Sequence, residues 1–110
     1  MNEFISKNEI FNDGKMIHLY FNGMIGVYVA YGISAYLLCQ HVQAKPSYSV
    51  EMQMPVAVLN AEHYEELVKM LALSKNEHSY RCLVVDTPAD MDAYSEWAYQ
   101  LRTVGEDRNG

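Results

Sequence analysis

The longest apolar tract in the chain runs from Met16 to Val42 and holds neither an acidic residue nor a proline. A tract of that kind has to be buried, so the remaining segments must fold around it. Residues 16–21 and 24–30 are rich in β-branched, aromatic and aliphatic side chains and read as two strands. Asn22-Gly23 between them is the pair favoured in two-residue hairpin turns, because both residues tolerate positive φ. After Gly32 the period changes. Ala35, Leu38, Cys39 and Val42 recur at i, i+3, i+4 and i+7, which places them on one face of a helix over 33–42, with Ser34 as its cap.

A length of 110 residues fits a single domain that can bury one core without disulfides or a metal. Cys39 and Cys82 lie inside apolar segments, and neither takes part in a Cys-x-x-Cys or Cys/His spacing. The first nine residues are too polar for a signal peptide, and no apolar run reaches the roughly 18 residues that span a bilayer. The expectation is a cytoplasmic protein with no membrane partner. The net charge is −6, and the eight Lys and Arg are scattered among fourteen acids. Phosphate contacts made by Lys and Arg supply most of the affinity for DNA, so weak DNA binding or none is expected.

Along the chain, residues 1–9 and 104–110 read as loosely ordered. Ile10-Phe11 before Asn12-Asp13-Gly14 reads as a short strand completing a three-stranded meander. Residues 16–21 are apolar on both faces and predict a central strand. After a loop over 42–46, Tyr48, Val50, Met52, Met54, Val56 and Val58 alternate with Ser49, Glu51, Gln53, Pro55 and Ala57. The spacing predicts one period-2 strand with the second set solvated and with Glu51 and Pro55 discouraging stray pairing. Asn60 can cap a helix over 61–73, whose stripe is Tyr64, Leu67, Val68 and Leu71. Residues 74–79 read as a polar loop and Tyr80–Val85 as an interior strand. Thr87-Pro88-Ala89-Asp90 opens a last helix over 88–102, with Thr87 as its cap, Pro88 at the first position and the stripe Met91, Tyr94, Ala98 and Leu101. The sum is a single α/β (α+β) domain with a mixed sheet that begins in a β-hairpin and is flanked by about three helices.

No catalytic set emerges. His63 and Glu66 lie one helical turn apart without further ligands, so a solvated face is the better reading. Asp86 follows a strand and precedes a helix, where a cation site can form with Asp90 and Asp92. Loop and cap roles account for the same residues. Ser34, Cys39 and Ser47 lack a nucleophile elbow, and Gly23, Gly26 and Gly32 lack the Lys-Ser/Thr of a phosphate loop. Glu51-Met-Gln53 lacks the lysine of an acid-x-lysine nuclease core. No catalytic residue, metal ligand or cofactor is therefore assigned.

Ile25-Gly26-Val27-Tyr28-Val29-Ala30-Tyr31-Gly32-Ile33-Ser34-Ala35 carries an aromatic-Gly-x-x-Ala frame running from hairpin into helix. Met54-Pro55-Val56-Ala57 and the helix Tyr64–Leu71 follow it, and then the strand Tyr80–Val85. Over about residues 15–86 this order resembles the N-terminal mismatch-recognition domain of the MutS DNA-repair family. There the hairpin reads Gly-Asp-Phe-Tyr-Glu-x-Phe-Gly-x-Asp-Ala. The resemblance implies a nucleic-acid-facing hairpin, with Val27, Tyr28, Val29 and Tyr31 as the candidate binding residues. In that family a phenylalanine stacks on the mismatched base and a glutamate two residues later bonds to it, and these positions fall on Val27 and Val29. Neither side chain can do that work, and the clamp, connector and ATPase domains are not in this chain. The expectation is a free-standing, non-enzymatic binding module with a protein partner or a second copy of itself. The alternatives are a nucleic-acid-associated protein related to DNA repair and a small metal-dependent enzyme centred on Asp86.

Overall fold

Six antiparallel strands in the order β3-β4-β2-β1-β6-β5 form one sheet. The structure, a computed structural model, describes residues 2–77 and 79–109, with those after Val104 described by backbone alone. The elements are α1 (Asn2–Ile10), β1 (Met16–Asn22), β2 (Val27–Tyr31), α2 (Gly32–His41), β3 (Lys45–Ser49), β4 (Met54–Leu59), α3 (Ala61–Met70), β5 (Ala72–Glu77), β6 (Tyr80–Val84) and α4 (Met91–Asn109). The architecture is α+β in one domain. Every ladder is antiparallel, where a mixed sheet was expected.

The Met16–Val42 tract is the centre of the molecule. β1 lies between β2 and β6, and Ile17, His18, Leu19 and Tyr20 are all buried, as expected for a strand covered on both sides. The turn differs from its prediction. Four residues, Gly23 to Gly26, connect β1 to β2, and the positive φ falls on Gly26 at 66°. The Asn22 side chain accepts from the Met24 amide at 3.1 Å, and the Gly26 amide donates to the Asn22 carbonyl at 2.9 Å. Asn22 thus organises a wider loop than the two-residue turn its identity favours.

One sheet face carries the main core. There α2 lies across β4, β2 and β1, α4 over β3 and β4, and α3 against β2 and β5. Ile17, Leu19, Ala30, Leu37, Leu38, Ala57, Leu59, Leu67 and Leu83 are buried in this layer. Ile5 of α1 packs with Tyr20, Tyr80 and Cys82 in a second cluster on the opposite face.

The segment expected as one long strand is a hairpin. β3 and β4 are joined by a turn at Val50–Gln53, and Gln53 adopts φ 56°. The faces also invert, because Pro55 and Ala57 are buried while Val58 is exposed. Pro55 fits inside the sheet because β2 begins to pair only at Val56, so no neighbour on that side needs its missing donor. The proline on the exposed edge is Pro46 of β3. Residues 72–77, expected as helix end and loop, are the other edge strand. All six are exposed, and an irregularity between Leu73 and Lys75 interrupts their pairing to β6.

At the N-terminus, α1 replaces the loose start, and Ile10-Phe11 ends this helix instead of forming a meander strand. Asn60 caps α3 as expected, accepting from the His63 amide at 2.8 Å. The cap of α4 is Asp90, not Thr87, because its carboxylate accepts from the amides of Asp92 and Ala93. Within α4, Met91 is exposed, and Tyr94 and Trp97 pack on the core. The helix continues to Asn109 across most of the tail expected to be loose, while Met1 and Gly110 lie outside the described residues.

Candidate functional site

The polar centre of the molecule lies where β2 leaves the sheet to become α2. β2 pairs with β1 only from Tyr20 to Asn22, so the first half of β1 loses its neighbour on that side. Its backbone groups are satisfied by side chains instead. The His18 amide donates to Ser34 Oγ at 2.9 Å, and Asn12 Nδ2 donates to the Met16 carbonyl at 2.8 Å.

Glu9 completes this network. Its carboxyl accepts from the Ser34 amide at 3.1 Å, the Ser34 hydroxyl at 2.6 Å and Asn12 Nδ2 at 3.5 Å. It therefore occupies the N-terminus of α2, where unpaired amides and the helix dipole favour an acceptor. Tyr31, the residue at the cap position, makes no side-chain cap. Ser34 was expected to cap α2; it lies inside the helix and donates to the residue that does the capping. Gly32 adopts φ 58°, and a Cβ there would stand 3.2 Å from Glu9 Oε1. Glycine thus allows the carboxyl to approach. Burial pushes the Glu9 carboxyl up to about 7, against the lowering effect of its hydrogen bonds to Ser34 and Asn12.

Beside the network lies a ring cluster. Phe4 meets Tyr20 and Tyr80 edge-on at 5.9 and 5.2 Å, and Asn8 Nδ2 donates to the Tyr20 hydroxyl at 2.9 Å. His18 Nδ1 and the Tyr80 hydroxyl share a 2.6 Å hydrogen bond. Burial, and to a lesser extent the charge of Lys75, hold His18 below its usual value, and burial raises the Tyr20 and Tyr80 hydroxyls. Ser34 is fully buried and His18 is bonded to Tyr80, so this arrangement is a packed network rather than a nucleophile with its base.

An open groove of about 240 Å³ adjoins the cluster. Tyr20, Tyr31 and Val29 line it from the sheet, Ile5 from α1, and Asn22-Gly23 from the start of the loop. Of the four residues proposed from sequence, Val29 and Tyr31 line this groove. Val27 lies half-buried on the same face of β2. Tyr28 points to the other face, stacked on Tyr64 at 4.4 Å with the Arg81 guanidinium 5.9 Å from its ring centre. The four residues therefore do not form one surface, because neighbours on a strand point to opposite sides.

Sequence reasoning missed Glu9, Asn12, Ile5 and Tyr20. A signal was present, since Phe4, Ile5, Asn8, Glu9 and Asn12 fall at i, i+1, i+4, i+5 and i+8, one helical face. Three of the five are polar, so a search for apolar periodicity passes over them. Asp86 and Asp92 are exposed, and Asp90 is occupied as a cap. Among the described residues, no group of three or more His, Cys, Asp or Glu is placed to hold a metal. Nor is any helix there long and apolar enough to cross a membrane.

No protein-family model, no curated protein and no solved structure matches this chain.

Proposed function

We propose that this protein is a non-enzymatic interaction module that binds a protein partner through the outer face of its sheet and the β1–β2 loop. The observation that carries the reading is the apolar surface left open there. Met24 is 96% exposed at the loop, Ile25 follows it and is exposed, and on the sheet Val58 is exposed opposite Val29, which lines the groove together with Tyr20 and Tyr31. Contiguous exposed apolar surface marks an interaction site, and interface centres are enriched in Tyr and Met.

A photo-crosslinking side chain placed at Ile25, with a second at Glu62 on the solvated face of α3 as control, tests the reading in cells. The expected result is a discrete adduct from position 25 only, to another protein or to a second copy. Identical adduct patterns from both positions, or none from position 25, would sink it.

The MutS resemblance is retained within this proposal as ancestry, in a module whose base-reading positions carry Val27 and Val29. Hairpin, helix, strand, helix, strand occur here in the expected order, with β3 and β5 added. Val27 and Val29 lack a stacking ring and an acceptor, and the net charge is −6. Fluorescence anisotropy should therefore show duplex binding weaker than roughly 10 μM at physiological salt, with equal signals for matched and G·T duplexes. Submicromolar affinity, or a several-fold preference for the mismatch, would instead favour a nucleic-acid role.

A further inference from the structure

One cation of this acidic protein is built into the core face of the sheet with no carboxylate beside it. Arg81 of β6 stands between Leu19 of β1 and Asn76 of β5 in the two ladders, and residues directly opposed in a ladder point to the same face. Leu19 is buried in the main core, so Arg81 and Asn76 belong to the helix-covered side. There the guanidinium carbon lies 5.9 Å from the centre of the Tyr28 ring, which is itself stacked on Tyr64 of α3.

The hydrogen bonds of this guanidinium are few. Nη1 donates to the Tyr80 carbonyl at 3.3 Å, Nε is buried without an acceptor, and Nη2 has no partner among the described residues. The side chain as a whole is half-buried. A charge drawn partly out of water loses hydration, and one carbonyl with a ring at the outer limit of the cation–π range returns little of it. Pairing with an acid is the usual solution. The chain has fourteen acids against eight Lys and Arg, yet among the described residues none pairs with Arg81.

We propose that Arg81 and Asn76 form a binding site for an oxyanion, the carboxylate or phosphate group of a ligand. The planar guanidinium matches the oxygen spacing of either group, and Tyr28 holds it in place. Asn76 is exposed and its carboxamide makes no hydrogen bond among the described residues, so it adds a donor on the solvent side of the cation. β5 is the last strand of the sheet, and no further strand screens Asn76. Lys75, the next cation along β5, is paired with Cys82 and points to the other face. The site therefore offers a single charge and suits a small anion, not a polyanion. It lies on the opposite side of the sheet from Val29 and Tyr31 and stands independently of the interaction reading above.

NMR of the Arg81 Nε–H and the Asn76 side-chain amide tests the site. The protein is titrated with sodium phosphate and, separately, with sodium acetate, each at an ionic strength held constant with sodium chloride. Both signals should shift and saturate in at least one titration, and the tighter anion assigns the group. Asn76→Ala should weaken that affinity about tenfold, the effect of one hydrogen bond to a charged group. Arg81→Met keeps an apolar stem and should abolish saturation. Because the charge has no acid partner in the fold, this variant should melt within a few degrees of the wild type or above it, and the tighter anion should raise the melting temperature of the wild type alone. Shifts that stay linear in both titrations, unchanged affinity in Asn76→Ala, or an Arg81→Met protein that unfolds or melts far below the wild type would overturn the proposal, the last by making Arg81 a structural residue.

Discussion

Leu38→Asp should leave the domain without a cooperative thermal transition at neutral pH. Leu38 is fully buried in α2, the helix that lies across β4, β2 and β1, and it packs in the main core with Leu37, Ala35 and Val42. An aspartate there either carries an unpaired charge into the core or takes up a proton to avoid it. The cost is several kcal/mol in either case, added to the lost packing. A small domain has about 5–15 kcal/mol of total stability, so one substitution of this kind consumes most of it. Far-UV circular dichroism and a thermal melt measure the outcome. A cooperative melt within a few degrees of the wild type would mean that α2 does not lie on the sheet. Leu38→Ala separates volume from charge, with an expected loss of about 2–5 kcal/mol.

Ser34→Ala removes one oxygen and should cost about 2–4 kcal/mol, far more than a typical serine substitution. The hydroxyl accepts from the His18 amide and Asn12 Nδ2 and donates to Glu9. Without it, the His18 amide has no strand partner to turn to, because β2 has already left the sheet at that level. Glu9 loses its shortest hydrogen bond as well. The Ser34 hydroxyl lowers the Glu9 value, so its removal should move the carboxyl still further up and reinforce the neutral form. Urea unfolding at pH 6 and pH 8 reads both effects. A loss under about 0.5 kcal/mol would mean that water replaces the hydroxyl and that the site is less enclosed than its fully buried serine indicates.

These two substitutions also divide what was legible in the chain from what was not. Leu38 could be found by counting, since its neighbours on the helix repeat at the period that local backbone geometry imposes. The central position of β1, the interior position of β6 and the Asn60 cap of α3 follow in the same way, because burial on both sides or a bond to an amide three residues on leaves a local mark. The antiparallel ladders, the division of β3 from β4 and the edge strand β5 leave no such mark. An edge strand that buries nothing has no apolar period, and a turn through Gln53 at positive φ has no glycine to announce it.

The α+β class and the hairpin-to-helix centre were thus determined by the sequence itself. Only the tertiary structure decided that α1 exists as a docked helix, that Glu9 rather than Ser34 caps α2, and that Tyr28 faces away from Val29. Glu9 meets Ser34 from 25 residues away, across a gap opened by the departure of β2. Hydrogen-bond partners for a broken sheet edge are supplied by whichever side chains the assembled fold brings there. That requirement exists only once the strands have paired, so no local pattern encodes it.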